Sequence, residues 1–243
     1  MQSGVISLTA LAKTIDHSLL RPDLTVSAVR QGCALAREYE VVSVCARPTD
    51  LPVLVEELAG TGILVTTTVG FPQGVVTTAT KVAETRESVA GGAVEVDMVL
   101  NVGKLRSGEV RFVEDDLGAV VEAAHAGGAL AKVIFENFYL STEEKLLACR
   151  LAEAAGADFV KTSTGFAPGG ATVADVELMR RTCSPRVRVK AAGGLSALDA
   201  VLAVIAAGAV RVGTSSTSAI LDEARKRGDA EGNLRLPTTR GTT

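Results

Sequence analysis

Two lysines occupy equivalent positions in two consecutive predicted strands of this 243-residue chain. Lys161 ends the apolar segment 157–161, Lys190 ends the segment 187–190, and a glycine-containing loop follows each lysine. If the strands are parallel neighbours, their backbones lie about 5 Å apart, and both the second charge and burial lower the pKa of a lysine. A neutral lysine is a nucleophile for carbonyl groups. Either lysine alone fits a packed stem whose ammonium group reaches water, but the pair favours covalent chemistry at a carbonyl carbon.

A carboxylate in another predicted strand is a candidate partner for these lysines. In the segment 93–100 the two-residue period places Asp97 on the same side as Glu95, toward the interior. A buried carboxylate is more often structural than catalytic, but one that faces two lysines is interpreted as their partner in proton transfer. The same period turns Arg188 inward, where it either extends to the lower end of the strands or meets Glu95.

Eight strand-like segments determine the fold that positions these side chains. Five of them follow the helix ends at Gly62, Gly92, Gly128, Gly156 and Gly208, and three more lie at 14–17, 41–45 and 187–191. Helix-like segments separate the strands, and eight βα units within this length predict a single-domain α/β fold, the (β/α)8 or TIM barrel, rather than an open sheet. Reactive side chains in this fold lie at the C-terminal ends of the strands.

The predicted helices lie between the strands, and several begin at a capping residue. Their bounds are 26–39, 52–59, 78–90, 110–126, 142–155, 172–182 and 197–207. Ser141, Thr172 and Ser196 each precede an acidic residue by three positions, which predicts N-caps. Because no linker divides the chain, we expect a barrel at 1–227, with a short N-terminal helix before Leu11 capping its bottom, and a flexible C-terminal tail at 228–243.

Composition and charge argue against several classes of function. Hydrophobic residues make up 47% of the chain, and 28 acidic against 25 basic residues give a net charge of −3, which favours neither a nucleic-acid nor a membrane-surface partner. The four cysteines are widely separated and there are only two histidines, so no metal site is predicted. Neither a signal peptide nor a membrane span is indicated, and reduced thiols fit a cytoplasmic location.

Two neighbouring loops have the composition of a phosphate site. One follows the seventh strand and the other follows the eighth strand and opens a helix, which is where many barrels of this type bind phosphate. Glycines let the backbone approach an anion, and free N–H groups at a helix start attract it. Turn glycines and an N-cap serine explain either loop alone, but two adjacent loops favour the phosphate. The candidate ligands are Gly165, Gly193, Gly194, Gly213, Ser215 and Ser216.

Several motifs, taken in order, resemble the deoxyribose-phosphate aldolase family, whose members are Schiff-base aldolases with a (β/α)8 fold. The resemblance covers nearly the whole barrel and is carried by residues 14–20, 95–101, 132–136, 160–166, 189–194 and 212–216. It implies reversible cleavage of 2-deoxy-D-ribose 5-phosphate to acetaldehyde and glyceraldehyde 3-phosphate. Lys161 would form the imine, Asp97 and Lys190 would relay protons, and Gly193, Gly194, Ser215 and Ser216 would help to hold the phosphate. Since the imine accepts the electron pair, no metal or organic cofactor is expected.

Further residues are assigned supporting roles. The resemblance implies that Asp16 supports the proton relay and that Ser18 contacts a sugar hydroxyl. Cys45 ends the second strand and points toward the same mouth, either as a small buried hydrophobic residue or as a thiol that reacts with unsaturated aldehydes. We expect a homo-oligomer, a dimer or a tetramer, whose partners are a phosphorylated sugar and acetaldehyde, with no nucleic acid and no membrane.

The chain departs from the family pattern at two points. Ser196 stands where many relatives have an arginine, which removes a positive charge near the phosphate, and the tail lacks the tyrosine that some members use in proton transfer. Two other functions stay open beside the main interpretation. One is a Schiff-base aldolase of this fold that acts on a different pair of aldehydes, and the other is a barrel that binds a phosphate ligand without turnover.

Overall fold

Eight parallel strands form a closed barrel in the computed structural model, which describes residues 4–238. Each strand pairs with the next in chain order, and the last pairs with the first, so the predicted (β/α)8 barrel is confirmed. The barrel strands are β2 (Ile15–Leu19), β3 (Ser43–Ala46), β4 (Leu64–Val69), β5 (Glu95–Val99), β6 (Leu130–Ile134), β7 (Phe159–Lys161), β8 (Arg188–Ala192) and β9 (Arg211–Thr214). Two further strands, β1 (Val5–Ser7) and β10 (Asn233–Arg235), lie outside the barrel.

The helices surround the barrel, and the predicted bounds are correct to within one residue. They are α1 (Leu8–Ala12), α2 (Val26–Glu38), α3 (Leu51–Leu58), α4 (Thr78–Ala90), α5 (Val102–Arg106), α6 (Val110–Ala126), α7 (Thr142–Ala154), α8 (Val173–Thr182), α9 (Leu198–Ala206) and α10 (Thr217–Arg227), with short 3-10 turns at Pro48–Asp50 and Asn137–Tyr139. Only α1, α5 and α10 lie outside the seven predicted segments. Their ends agree because apolar periodicity and capping residues mark both ends of most helices.

The predicted N-caps are confirmed at two of three positions. Ser141 forms a capping box with Glu144, and the Thr172 side chain accepts a hydrogen bond from the N–H group of Asp175. The prediction for Ser196 is wrong, because α9 begins one residue later and its N-cap, Ala197, offers no side-chain acceptor. Ser196 belongs instead to the loop that follows β8, where its N–H group donates to the carbonyl of Gly194.

The two ends of the chain meet in a small antiparallel sheet. The predicted short N-terminal helix is α1, which directly precedes β2 and buries Leu11. Before it, β1 pairs with β10, and Ile6 lies opposite Leu234. The expected flexible tail is therefore wrong for residues 233–235, because Leu234 is buried in the core while its strand neighbours are not. Residues 239–243 of the predicted tail lie outside the described residues, and the boundary after residue 227 stays a prediction.

The strands separate an apolar outer layer from a charged interior. On β5, Val96 and Met98 belong to the hydrophobic core between strands and helices, whereas Glu95 and Asp97 point to the interior, as the two-residue period predicts. Barrel interiors of this fold usually contain branched aliphatic side chains. Here the interior is filled in large part by ionisable groups, and their arrangement forms the candidate site.

Candidate active site

The structure brings Lys161, Lys190 and Asp97 together at the C-terminal end of the barrel. Lys161 and Lys190 are direct register partners on the neighbouring strands β7 and β8. Both ammonium groups bind the same oxygen, because Asp97 Oδ2 lies 2.7 Å from Lys161 Nζ and 2.8 Å from Lys190 Nζ. All three side chains are almost completely buried. The predicted proximity of these residues is therefore confirmed, while their roles in a reaction stay predictions.

Four further ionisable groups extend this cluster toward the lower end of the barrel. Lys132 Nζ lies 2.7 Å from both Asp97 Oδ1 and Glu95 Oε2. Asp16 Oδ2 lies 2.5 Å from Lys190 Nζ, and Arg211 joins Asp16 to Glu95 with a 2.7 Å contact to Glu95 Oε1. Of these residues, Asp16 is predicted to support the proton relay, whereas no role is predicted for Lys132 or Arg211. Both stand at inward positions of their strands, so the same two-residue period could have identified them.

A count of charges shows which member of the cluster is least compensated. The cations are Lys132, Lys161, Lys190 and Arg211, and the carboxylates are Asp16, Glu95 and Asp97. Four cations thus face three carboxylates, so that one proton must leave for the buried cluster to be neutral. An isolated buried charge is costly, and the lysine with the fewest carboxylate contacts is the one expected to lose its proton.

The pKa shifts of the two lysines have opposite signs. Burial lowers the pKa of Lys161, and Asp97 opposes this effect while the charge of Lys190 adds to it. Burial acts on Lys190 in the same direction, but Asp16 and Asp97 outweigh it and raise the pKa of Lys190. Lys161 has one carboxylate contact and Lys190 has two. The arrangement therefore favours a neutral amine at position 161 beside a permanent ammonium group at position 190.

Two carboxylates of the cluster, Asp97 and Asp16, stay ionised. Burial raises the pKa of Asp97, but Lys132, Lys161 and Lys190 outweigh this and hold it well below its ordinary value. For Asp16 the same balance of burial against Lys190 and its other cationic neighbours lowers the pKa. Asp16 also accepts a hydrogen bond of 2.7 Å from the Ser43 hydroxyl. These anions can accept or pass on a proton only through their hydrogen-bonded cationic partners.

Arg188 does not meet Glu95; it is the first residue of β8 and is partly exposed at the lower end of the strand, which agrees with the first of the two predicted positions. Its guanidinium carbon lies 3.9 Å from the centroid of the Phe159 ring, a cation–π contact with the preceding strand. Glu95 is contacted by Lys132 and Arg211 instead.

One cavity of about 310 Å³ connects Lys161 with the predicted phosphate loops. Of the two lysines, only Lys161 lines it; Lys190 and Asp97 lie behind it. All six predicted phosphate ligands lie in its wall, together with Ser18 and Ser196: Gly165, Gly193, Gly194, Gly213, Ser215 and Ser216. The cavity has a size that fits a small ligand.

The loop after β8 requires glycine at the cavity wall. Gly193 has φ of +87°, and a Cβ atom at this position would lie 3.1 Å from Gly170 Cα and 3.2 Å from Ser163 Cβ. Gly193 also accepts a hydrogen bond of 3.0 Å from the N–H group of Ala171. On the other loop, the first turn of α10 begins at Thr217, directly beyond Ser216. The backbone of both loops can therefore approach an anion closely.

Arg21 is a lining residue that the sequence analysis misses. It belongs to the loop after β2, lines the cavity beside Ser196 and forms a salt bridge of 2.5 Å with Asp23. Its side chain is 71% exposed, so it can reorient without losing packing. Arg21 therefore supplies a positive charge at the wall of the cavity, where Ser196 supplies none. No motif in the sequence relates the loop after β2 to the loop after β8, so the sequence does not predict Arg21 as a lining residue.

Cys45 is buried beside the cluster rather than exposed in the cavity. Burial raises the pKa of its thiol to about 11, and the charge of Asp97 acts in the same direction. A thiolate is the reactive form of cysteine. The structure therefore favours the first of the two interpretations of Cys45, a small buried residue.

The described part of the chain contains no group of three or more His, Cys, Asp or Glu side chains arranged to hold a metal ion. Within residues 4–238 we also find no helix that is long and apolar enough to cross a membrane.

Comparison with known proteins gives consistent matches over most of the chain. A family model described as DeoC/LacD family aldolase matches residues 12–223. The deoxyribose-phosphate aldolase of Brevibacillus brevis is 50% identical over 216 residues, which are 89% of this chain and 97% of that protein. The enzyme of the same name from Caldanaerobacter subterraneus is 48% identical and covers 91% of this chain and 96% of its own length. Among solved structures, the tetrameric deoxyribose phosphate aldolase of Aeropyrum pernix has a TM-score of 0.83 at 29% identity, with 89% of this chain and 92% of that chain covered.

Proposed function

The chain belongs to the DeoC/LacD aldolase family, and from this membership we propose that it cleaves 2-deoxy-D-ribose 5-phosphate reversibly to acetaldehyde and D-glyceraldehyde 3-phosphate through an imine on Lys161. Its enzyme class is that of its relatives, which are aldolases and therefore carbon–carbon lyases. The observation that carries the choice of residue is that Lys161, alone of the buried lysines, lines the cavity formed by the phosphate loops.

In the proposed reaction, the neutral amine of Lys161 attacks the aldehyde carbon C1 of the open-chain sugar. Loss of water from the carbinolamine gives a protonated imine, which can accept an electron pair. A base removes the proton of the C3 hydroxyl, the C2–C3 bond breaks, and the released pair forms an enamine on Lys161. Glyceraldehyde 3-phosphate leaves, the enamine is protonated at C2, and water hydrolyses the resulting imine to acetaldehyde and free Lys161.

The proton transfers are assigned to Asp97 and Lys190, which are in contact at Asp97 Oδ2. Lys190, with a raised pKa, is a proton donor that is restored through Asp97 and Asp16. Asp97 is held ionised and keeps the Lys161 amine hydrogen-bonded and oriented. We assign the phosphate group to the glycine and serine loops, with Arg21 as the mobile cation at the cavity wall.

Trapping of the imine tests the central assignment. Incubation with acetaldehyde and borohydride should add one ethyl group to the peptide that contains Lys161, and the Lys161→Met variant should lose both labelling and turnover. The control is Lys145→Met, which removes a lysine that neither lines the cavity nor belongs to the cluster and should still be labelled at Lys161. Labelling of another lysine, or turnover by Lys161→Met, would refute the assignment.

Substrate comparison separates the two alternative functions. If phosphate recognition is real, kcat/KM for 2-deoxyribose 5-phosphate exceeds that for 2-deoxyribose, and the difference shrinks in Arg21→Ala. Imine trapping without cleavage of either sugar would favour an aldolase for another pair of aldehydes, and absence of trapping would favour a silent binding protein. We also propose a cytoplasmic homo-oligomer, on the free buried cysteines and on the tetramer formed by the Aeropyrum relative, which light scattering can test.

A further inference from the structure

His17 is a buried ionisable residue that the proposed reaction does not use. It lies on β2, and the two-residue period places it on the side of the core residues Ile15 and Leu19, away from the barrel interior that Asp16 faces. The residue is only 4% exposed. Burial lowers the pKa of its imidazole to about 4, so the ring is neutral at physiological pH.

This neutral ring makes a hydrogen bond to a residue that is distant in the sequence. His17 Nδ1 lies 2.8 Å from the hydroxyl oxygen of Thr217, which is completely buried. A neutral imidazole offers one donor and one acceptor nitrogen, and a hydroxyl group can serve either of them, so the bond forms with either tautomer. Thr217 is the first residue of α10. The bond therefore joins β2 to the first turn of that helix.

A second threonine holds the other end of the loop that precedes α10. Thr214 ends β9 and is the register partner of His17. Its hydroxyl group donates to the carbonyl of Leu195, in the loop after β8, at 2.6 Å and accepts from the N–H group of Ser216 at 3.0 Å. The loop that contains Ser216 is therefore attached to the loop after β8 at its start and to β2, through Thr217, at its end.

The first turn of α10 has N–H groups to offer to an anion. The first N–H groups of a helix have no acceptor within the helix, and such groups favour a negative charge. The Ser216 side chain does not cap α10, and its own N–H group is already bound to Thr214. A site built from backbone groups depends on the position of the backbone, and here Thr217 is the residue through which β2 holds it.

We propose that His17 is a positioning residue for the substrate phosphate, because its bond to Thr217 fixes the start of α10 beside Ser215 and Ser216. The proposal rests on the proposed function, in which this loop binds the phosphate group. His17 and Thr217 do not line the cavity around Lys161, so His17 acts through the helix and not by contact with the substrate. It should therefore affect the recognition of phosphate and not the chemistry at Lys161.

The test compares two sugars in variants of His17. His17→Leu removes the hydrogen bond and should lower kcat/KM for 2-deoxyribose 5-phosphate about tenfold, which corresponds to about 1.4 kcal/mol, mainly through KM. The values for 2-deoxyribose, and the labelling of Lys161 by acetaldehyde and borohydride, should equal those of the natural chain. His17→Asn places an amide near the position of Nδ1 and should keep most of the preference for the phosphorylated sugar.

Removal of the other partner provides an independent measurement, which also decides the question if His17→Leu does not fold. Thr217→Val should cause the same selective loss, and the double variant with His17→Leu should lose no more than either single variant, because all three lack the same bond. The matched control is Thr67→Val, which removes a buried hydroxyl group that donates to the carbonyl of Ala46 at 2.9 Å and does not line the cavity. Its preference for the phosphorylated sugar should not change.

The outcomes separate this proposal from the proposed function. A natural chain that turns over both sugars equally well would refute phosphate recognition itself, and the role of His17 would be refuted with it. A natural chain that prefers the phosphorylated sugar, with the same preference in His17→Leu and Thr217→Val, would overturn only the role of His17. An equal loss for both sugars in these variants would also overturn it, because the bond would then serve the fold alone.

Discussion

Lys161 and Lys190 show how two identical residues on neighbouring strands acquire different chemistry. Both are almost fully buried and share Asp97 Oδ2, so neither burial nor this one contact distinguishes them. The difference is Asp16, which binds Lys190 at 2.5 Å but not Lys161. Lys190 keeps its proton because two carboxylates compensate it, and its charge then helps Lys161 to lose one.

The pH dependence of turnover tests this division of roles. Replacing Lys190 by Met removes a charge that lowers the pKa of Lys161. Since the neutral amine is the reactive form and exists above its pKa, the acid limb of kcat/KM should move to higher pH and the maximum should fall. Like charges about 5 Å apart at an effective dielectric constant of ~20 interact by about 3 kcal/mol, so a shift of about two pH units is expected.

The matched control for this experiment is Lys190→Arg, which keeps the charge but changes the proton donor. Its acid limb should stay near that of the natural enzyme while its maximum rate falls. An acid limb that does not move in Lys190→Met would show that burial alone sets the pKa of Lys161.

Individual inward residues were predictable, but their pairing was not. Strand position and the two-residue period identify Asp97, Lys161 and Lys190, and they apply equally to Lys132 and Arg211. The choice of carboxylate for each cation depends on the strand register, such as Asp97 opposite Lys132, and on side-chain conformations. Neither is encoded locally. The place of Arg21 in the cavity wall depends on loops that converge only in the closed barrel.

At the scale of elements, the charges are divided between two parts of the barrel. The carboxylates of the cluster lie on β2 and β5, and its cations lie on the four consecutive strands β6 to β9. The side chain of Asp97 on β5 therefore extends across the barrel interior to reach these cations. Its position depends on the position of the C-terminal end of β5. A second buried ion pair, between Lys81 on α4 and Asp116 on α6 at 2.6 Å, supports this end of the strand. Lys81 Nζ also donates to the carbonyl of Val99 at 2.9 Å, two residues beyond Asp97.

We expect Lys81→Met to destabilise the protein strongly. The substitution leaves Asp116 buried without its cation and the Val99 carbonyl without its donor. Breaking a buried ion pair by removing one partner costs about 3–5 kcal/mol, which urea unfolding can measure. The double variant Lys81→Met with Asp116→Leu should recover much of this loss, since no buried charge then remains unpaired. A loss below about 1 kcal/mol in Lys81→Met would contradict a supporting role for the pair.

Helix bounds were predictable from local signals, and the exceptions have tertiary causes. Ser196 does not cap α9 because it belongs to the loop that lines the cavity around Lys161. Helix α5 lies outside the predicted segments, although the side chain of Asn101 caps it by accepting from the N–H group of Lys104 at 3.1 Å. Its five residues are too few to show a helical period.

At the scale of the whole molecule, the candidate active site and the small sheet formed by the two ends of the chain lie at opposite ends of the barrel. The cavity lined by Lys161 opens at the C-terminal strand ends, whereas β1 and β10 lie at the other end, where the chain enters β2 and leaves α10. Besides the strand pairing, Leu8 donates to Gly232 at 3.0 Å and Leu236 to Gly4 at 2.8 Å. Strands of three residues that are far apart in sequence carry no recognisable pattern, so this sheet was not predictable.

This separation predicts that the small sheet affects stability but not turnover. Leu234 is 4% exposed and belongs to the core, whereas its neighbour Arg235 on the same strand points to solvent. Leu234→Ala should lower the free energy of unfolding by about 2–4 kcal/mol, and Arg235→Ala should change it by less than about 0.5 kcal/mol. Thermal unfolding measures both, and kcat/KM should match the natural enzyme in each variant while the protein is folded. A loss of kcat/KM in folded Leu234→Ala would mean that the two ends of the barrel are coupled, because no contact of Leu234 with the cluster exists within the described residues to transmit the change directly.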